Sequence, residues 1–158
     1  MSTNLTFVKW DFSILKEDWS RFRISDGTQL KVRVAVTDIY RSLQVSNTGY
    51  PELQYFFQNL VSVMIPDKLR GNASNDPINL QSDIPEEIKF EELEVKEQEY
   101  FTTDGFKVLI KPVLQKVFKY NKYNPFGEPI YQTTIHSIPN IEKIRNTQSS
   151  ANQKEQLT

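Results

Sequence analysis

The chain has 158 residues, 25% of them charged, and a formal net charge of −1 at pH 7. This length is enough for one domain with a substantial core. The near-neutral charge excludes a protein that binds polyanions through a uniformly basic surface. The absence of cysteine excludes disulfides, thiolate zinc sites and cysteine nucleophiles, and it favours an intracellular, cytoplasmic location.

The N-terminal residues 1–15 contain Lys9, Asp11 and several other polar residues. This pattern predicts neither a signal peptide nor a membrane-spanning segment, because both need an uninterrupted apolar stretch. We therefore expect a soluble protein without a membrane partner.

Residues 19–24 and 30–40 predict two β-strands joined by a tight turn at 25–27. Both segments are rich in aliphatic, aromatic and β-branched residues, and the turn has the sequence Ser-Asp-Gly. A three-residue turn with a left-handed glycine pairs Phe22 with Leu30, whereas a two-residue turn would mix the two faces of the strands. We therefore expect a hairpin whose glycine has a positive φ.

The segment from Leu53 to Ile65 predicts a third strand. A polar connector at 42–48 and a Gly-x-Pro turn separate it from the second strand. Its apolar residues occupy both faces, which is typical of a strand that is buried on both sides. The sequence therefore predicts a three-stranded meander in which this strand is central and deeply buried.

The whole pattern recurs at an offset of about 78 residues, from Asp26-Gly27 to Asp104-Gly105. Gly49-Tyr50-Pro51 returns at the same offset as Gly127-Glu128-Pro129. Farther upstream, Lys9-Trp10-Asp11 resembles Lys89-Phe90-Glu91 only after a slip of two residues. We therefore expect an internal duplication in which each meander has a lead-in strand.

The predicted fold is a mostly β single domain over residues 1–146. Unit one covers 9–65, unit two covers 88–144, and the two meanders pack as a pseudo-two-fold barrel or sandwich. Residues 66–87 carry dense turn signals without periodicity and predict a long, partly mobile linker. The polar tail 147–158 predicts disorder.

Two segments of the second half need separate interpretation. Residues 86–99 could form a helix, but their similarity to the segment around Trp10 favours an extended strand. Residues 130–138 are more polar than their counterpart in unit one, which predicts a strand at an edge or beside a partner.

Four cations on the first hairpin form the first candidate binding site. The predicted register places Arg21 opposite Lys31, with Arg23 and Arg33 on the same face. Like charges opposed across strands destabilise a sheet, so this face needs an anionic partner. The acidic run from Glu91 to Glu99 is the favoured, internal partner, and an external polyanion is the alternative.

The second candidate site lies around the connector of unit two, where basic and aromatic residues alternate. Lysines can contact phosphates while rings stack on bases, at about 1 to 3 kcal/mol per stacked base. Ordinary cross-strand packing of the same rings is the favoured interpretation. The residues of this site are Lys116, Phe118, Lys119, Tyr120, Lys122, Tyr123 and Phe126.

The sequence contains no catalytic motif. His136 is the only histidine, and neither a glycine-rich phosphate loop nor a cluster with metal-ligand spacing is present. We therefore expect no cofactor or metal, and a non-enzymatic binding or assembly module with an exposed basic and aromatic surface. A protein partner or self-association is favoured; single-stranded nucleic acid is the alternative, and an enzyme of unknown class comes third.

Overall fold

Two antiparallel sheets of five strands each make up the fold, which this computed structural model describes for residues 5–144. Sheet A consists of β1 (Phe7–Trp10), β3 (Ser20–Ile24), β4 (Gln29–Val45), β5 (Pro51–Met64) and β7 (Phe90–Glu94). Sheet B consists of β2 (Phe12–Lys16), β6 (Glu86–Ile88), β8 (Gln98–Thr102), β9 (Phe106–Tyr123) and β10 (Pro129–Lys143). The predicted mostly β class is confirmed, and the disorder predicted for 147–158 lies outside the described residues.

One long strand organises each sheet. In sheet A, β4 pairs with β3 and β1 along one edge and with β5 along the other, while β7 extends the sheet beyond β3. In sheet B, β9 pairs with β8 and β6 along one edge and with β10 along the other, while β2 extends the sheet beyond β8. Within residues 5–144, the strands that pair on one side only are β1, β2, β5, β6, β7 and β10.

Both predicted hairpin turns are confirmed. Phe22 pairs with Leu30, and Tyr100 pairs with Val108. Gly27 and Gly105 have φ values of +97° and +83°. Glycine is needed at both positions because a Cβ is strained in the left-handed region.

The strand pairings of sheet A return in sheet B at an offset of 78 residues. Trp10 pairs with Ile39, and Ile88 pairs with Val117. The irregularity at 36–38 of β4 likewise returns at 114–116 of β9. The two-residue slip inferred for the upstream segments is therefore wrong, because the hydrogen-bonded position of Trp10 is taken by Ile88 and not by Phe90.

The upstream segments are exchanged between the sheets. The chain leaves sheet A after β1 and enters sheet B as β2, with Asp11 as the only intervening residue. The reverse crossing occurs at Lys89, between β6 in sheet B and β7 in sheet A. Each predicted lead-in strand is therefore two short strands, one in each sheet.

The core draws side chains from both sheets. One cluster combines Val34 and Ile39 of β4 with Tyr100, Val108 and Ile110 of sheet B. The second cluster combines the first hairpin of sheet A with Leu114 and Val117 of β9. Each half of β4 thus packs with the opposite half of β9.

The deep burial predicted for the third strand is wrong. β5 pairs with β4 alone, and most of its residues are exposed. Apolar residues on both faces were interpreted as burial on both faces, whereas burial depends on which elements cover the strand. The edge position predicted for 130–138 agrees with the structure, in which β10 pairs with β9 alone.

The predicted linker begins after Ile65 and contains a short 3₁₀ helix, Asp67–Leu69. It ends before β6, so Glu86 and Glu87 belong to a strand and not to the linker.

The first prediction concerns the two turn glycines. We expect Gly27→Val and Gly105→Val each to lower the free energy of unfolding by about 1 to 2 kcal/mol, because a β-branched residue is strained at positive φ. Thr103→Val, an isosteric change at an exposed site in the second turn, is the matched control. Urea denaturation measures the effect, and equal stability of all three variants and the wild type would contradict the turn geometry.

Candidate binding surfaces

The four predicted cations of the first hairpin lie together on one face of sheet A. Arg21 is opposite Lys31, as predicted, and both Arg21 and Arg23 are exposed. The neighbouring strand β7 places Glu91 beside Arg23, with 3.0 Å between Nη1 and Oε1. The acidic segment that the sequence favoured as an internal partner therefore lies next to this hairpin.

The other two cations contact a tryptophan. The Lys31 ammonium lies 5.2 Å from the centre of the Trp19 ring, and the Arg33 guanidinium lies 6.0 Å from it. Arg33 also donates to Glu17, with 3.0 Å between Nη2 and Oε1. Lys31 and Arg33 therefore have internal partners, as the sequence favoured for this face, but their partners are Trp19 and Glu17 and not the run from Glu91 to Glu99.

A buried hydrogen-bond network surrounds Glu17, whose side chain is only 8% exposed. The Tyr100 hydroxyl donates to Glu17 Oε2 over 2.6 Å. Burial, together with this hydrogen bond to a carboxylate, raises the pKa of Tyr100, so the hydroxyl keeps its proton as the donor. At an offset of 78 residues the corresponding positions are apolar, with Val95 in place of Glu17 and Phe22 in place of Tyr100.

The aromatic and basic connector of unit two is largely committed to internal contacts. Tyr120 is buried, and its hydroxyl donates to Gln132 Oε1 over 2.9 Å. Lys119 pairs with Asp26 at 2.9 Å, and Lys122 pairs with Asp83 at 2.7 Å. The exposure expected for Tyr120 is therefore wrong, because its ring lies in the core and its polar atom has a partner.

The linker covers one side of this connector. Gly71 N–H donates to the Gly127 carbonyl over 2.9 Å, and Ser74 N–H donates to the Asn124 carbonyl over 3.1 Å. Gly71 lies so close to the Tyr123 ring that a Cβ would be 2.4 Å from Cζ. Tyr123 is thereby half-buried. Of the remaining predicted residues, Lys116 and Phe126 are exposed and Phe118 is half-buried.

Each turn aspartate binds the opposite sheet. Asp26 Oδ2 accepts from Lys119 on β9 and from the Tyr131 hydroxyl on β10, over 2.9 and 2.6 Å. At the equivalent position, Asp104 Oδ2 accepts from Trp10 Nε1 over 2.8 Å and lies 3.2 Å from Arg41 Nε. The Asp-Gly turns therefore join the two sheets in addition to reversing the chain.

The hydrogen bonds to Asp26 control its protonation. Partial burial opposes ionisation of the carboxyl group, but the bonds from Lys119, Tyr131 and Thr28 outweigh it and hold the pKa at about 2. The carboxylate therefore stays charged and keeps its partners over the ordinary pH range.

Five exposed large apolar side chains lie along β5. From Leu53 to Met64 this strand has twelve residues without a charge, a proline or a glycine; we call this segment the β5 edge. Its outer side has no strand partner within residues 5–144. Its exposed large apolar side chains are Phe56 (56%), Phe57 (37%), Leu60 (38%), Val61 (40%) and Met64 (67%).

The other one-sided strands carry groups that disfavour pairing. β10 contains Pro139 together with Glu142 and Lys143, β7 contains three glutamates, β6 contains two, β1 contains a lysine, and β2 ends at a lysine. Charges and proline are the usual means by which proteins prevent strand addition at an edge. The β5 edge has none of these groups.

Sequence reasoning missed this surface because a fully apolar strand and an unprotected edge have the same residue pattern. The available signal was the contrast with the equivalent strand of unit two, since only the β5 edge lacks charge and proline over its length.

Residues 5–144 contain no group of three His, Asp or Glu side chains placed to hold a metal ion. His136 is exposed on β10. In the same range no helix has the length and apolar character that crossing a membrane requires. Comparisons with protein-family models, with curated proteins and with solved structures find no match to this chain.

The second prediction concerns acid stability. The pKa of Asp26 is below its unfolded value of about 3.9, so its contribution is complete above that pH and is lost as the pH falls towards about 2. We expect Asp26→Asn to lower the free energy of unfolding at pH 6 by about 1 to 2 kcal/mol, and to flatten its pH dependence between 4 and 2. Urea denaturation across this range measures both effects. An unchanged slope in the variant would contradict the assignment.

The third prediction concerns the linker. We expect Gly71→Ala to release it from the β9–β10 turn, because the added Cβ collides with the Tyr123 ring. Limited proteolysis within 66–85 should then become at least about tenfold faster, since detached segments are cleaved preferentially. Asn72→Ala, an exposed neighbour, is the matched control. Equal cleavage rates in the two variants would show that the contact does not hold the linker.

Proposed function

We propose that this protein is a non-enzymatic binding or assembly module that accepts a further β-strand from a macromolecular partner along the β5 edge. One observation carries the proposal: twelve consecutive uncharged residues form a largely exposed strand, and one side of it has no strand partner within residues 5–144. A free strand edge presents backbone N–H and C=O groups that an added strand can pair, and alternate side chains supply specificity.

The side chains of the β5 edge support strand addition on both of its faces. Phe56, Leu60 and Met64 share one face, and Phe57 and Val61 share the other, because side chains alternate along a strand. Burial of these side chains by a partner would contribute roughly 25 cal/mol per Å² of apolar area. An edge that is apolar on both faces is costly to leave in water, and this cost favours a role in binding.

The proposal moves the binding surface away from the one predicted from sequence. Lys119 and Lys122 are paired with Asp26 and Asp83, and Tyr120 is buried. A nucleic acid would therefore have to displace internal ion pairs before it could use these lysines. Single-stranded nucleic acid binding stays a prediction without a specific observation in its favour.

The non-enzymatic part of the proposal rests on the partners of the titratable groups. The Glu17 carboxylate is occupied by Arg33 and Tyr100, and the Asp26 carboxylate by Lys119 and Tyr131. Ion-pair and hydrogen-bond networks of this kind are common structural features, so these contacts support a structural role for both carboxylates.

We also propose that the two halves are copies of one duplicated unit, arranged about a pseudo-two-fold axis as a barrel or sandwich. The common offset of the strand pairings supports the duplication. Core clusters built from both sheets support their packing against each other.

The fourth prediction tests strand addition by hydrogen–deuterium exchange of the full chain. The protein is measured dilute, concentrated, and dilute after incubation with an extract of the cells that express it. We expect amides of the β5 edge to exchange at least about tenfold more slowly in one of the last two conditions, because pairing protects edge amides.

Leu60→Lys should abolish this protection, whereas Ile138→Lys, at the equivalent exposed position of β10, should leave it unchanged. Equal exchange of the β5 edge in all three conditions would contradict the proposed function.

A further inference from the structure

We infer that the strand added to the β5 edge is the β5 edge of a second copy of this chain, paired antiparallel about a two-fold axis at Gln58. This inference rests on the proposed function and names the partner. Two-fold pairing of identical surfaces is the commonest way in which a protein associates with itself.

The residue order of β5 is self-complementary in this register. An axis at Gln58 places Phe56 opposite Leu60, Tyr55 opposite Val61 and Leu53 opposite Val63 of the second copy. The polar residues Gln54 and Ser62 also face each other. Phe57 opposite Asn59 and Glu52 opposite Met64 are the two mixed pairs, so most cross-strand pairs match in character. Matched apolar and polar pairs are the main source of stability between antiparallel strands.

Neighbouring registers are poorer. An axis at Asn59 would oppose polar to apolar side chains in one more pair than the axis at Gln58. Its mixed pairs are Phe56 with Ser62, Gln58 with Leu60, and Gln54 with Met64. An axis at Leu60 would shorten the paired segment, because the strand ends at Met64. The axis at Gln58 uses β5 from Glu52 to Met64.

The charge pattern of the edge also favours a second copy over a charged peptide. From Leu53 to Met64 nothing offers a counter-charge to an acidic or basic strand. The same neutrality removes the repulsion that would separate two identical edges. Pairing would join the two copies into one continuous sheet in the order β4, β5, β5, β4.

The exposed pair Phe56 and Leu60 allows a charge-exchange test of this register. In the inferred dimer each Phe56 faces Leu60 of the second copy, so F56K/L60K opposes like charges and F56K/L60E opposes unlike charges. Within one chain, positions 56 and 60 face Asp38 and Arg33 on β4. The lysine and glutamate of F56K/L60E would therefore each face a residue of opposite charge. F56K/L60E should therefore fold as stably as the wild type.

The matched control carries the same two lysines on the other free edge. T134K/I138K places them at the positions equivalent to Phe56 and Leu60, where they face Lys116 and Lys111 on β9. The control therefore bears at least as much like-charge repulsion within the chain as F56K/L60K. Circular dichroism verifies that each variant is folded.

Sedimentation velocity at about 100 μM then measures the oligomeric state. We expect dimers for the wild type, F56K/L60E and T134K/I138K, and a dissociation constant raised at least about tenfold, with monomer predominant, for F56K/L60K. A monomeric wild type, a dimeric F56K/L60K or a monomeric F56K/L60E would each overturn the inference.

The exchange experiment separates this failure from failure of the proposed function. If the wild type is monomeric and its β5 edge is protected only in extract, the added strand comes from another protein. That result overturns the inference that the partner is a second copy, but it supports strand addition. A monomeric wild type without protection in any condition overturns both.

Discussion

Each half of the chain gives one short strand to the sheet of the other half, and the rest of this fold depends on this exchange. The chain crosses at Asp11 and again, in the opposite direction, at Lys89, so β2 completes sheet B and β7 completes sheet A. Neither half can form its sheet without a strand from the other. This interdependence explains why both core clusters draw on both sheets, and why the aspartates of the two turns reach cations on the opposite sheet.

The equivalence of the two halves makes their differences informative. At one end of the core, Glu17, Tyr100 and Arg33 form a buried polar network, while the equivalent positions at the other end include Val95 and Phe22. Removing one member of such a network would leave a buried charge or polar group without a partner, which costs several kcal/mol, about 3 to 5 for a broken buried pair. The polar end therefore distinguishes the two halves, which the common pairing pattern alone would leave interchangeable.

The same comparison supports the proposed function. β5 and β10 occupy equivalent positions, make equivalent pairings, and each pack apolar side chains against the core from one face. β10 has proline and charged residues, whereas β5 has twelve residues without either. Because the structural demands on the two strands are equivalent, this difference points to a role in binding, and it is the basis of the proposed strand addition.

The sequence by itself determined the local geometry of this protein. The Asp-Gly turns predicted the register of both hairpins and the positive φ of Gly27 and Gly105, because turn chemistry and side-chain alternation act over a few residues. The tertiary structure alone decided which elements cover which. Tyr120 is buried, Lys119 pairs with Asp26, the linker covers Tyr123, and one side of β5 has no strand partner within residues 5–144. These outcomes depend on contacts between residues that are far apart in the chain. Hydropathy records how apolar a strand is, but an unpaired edge exists only relative to its neighbours.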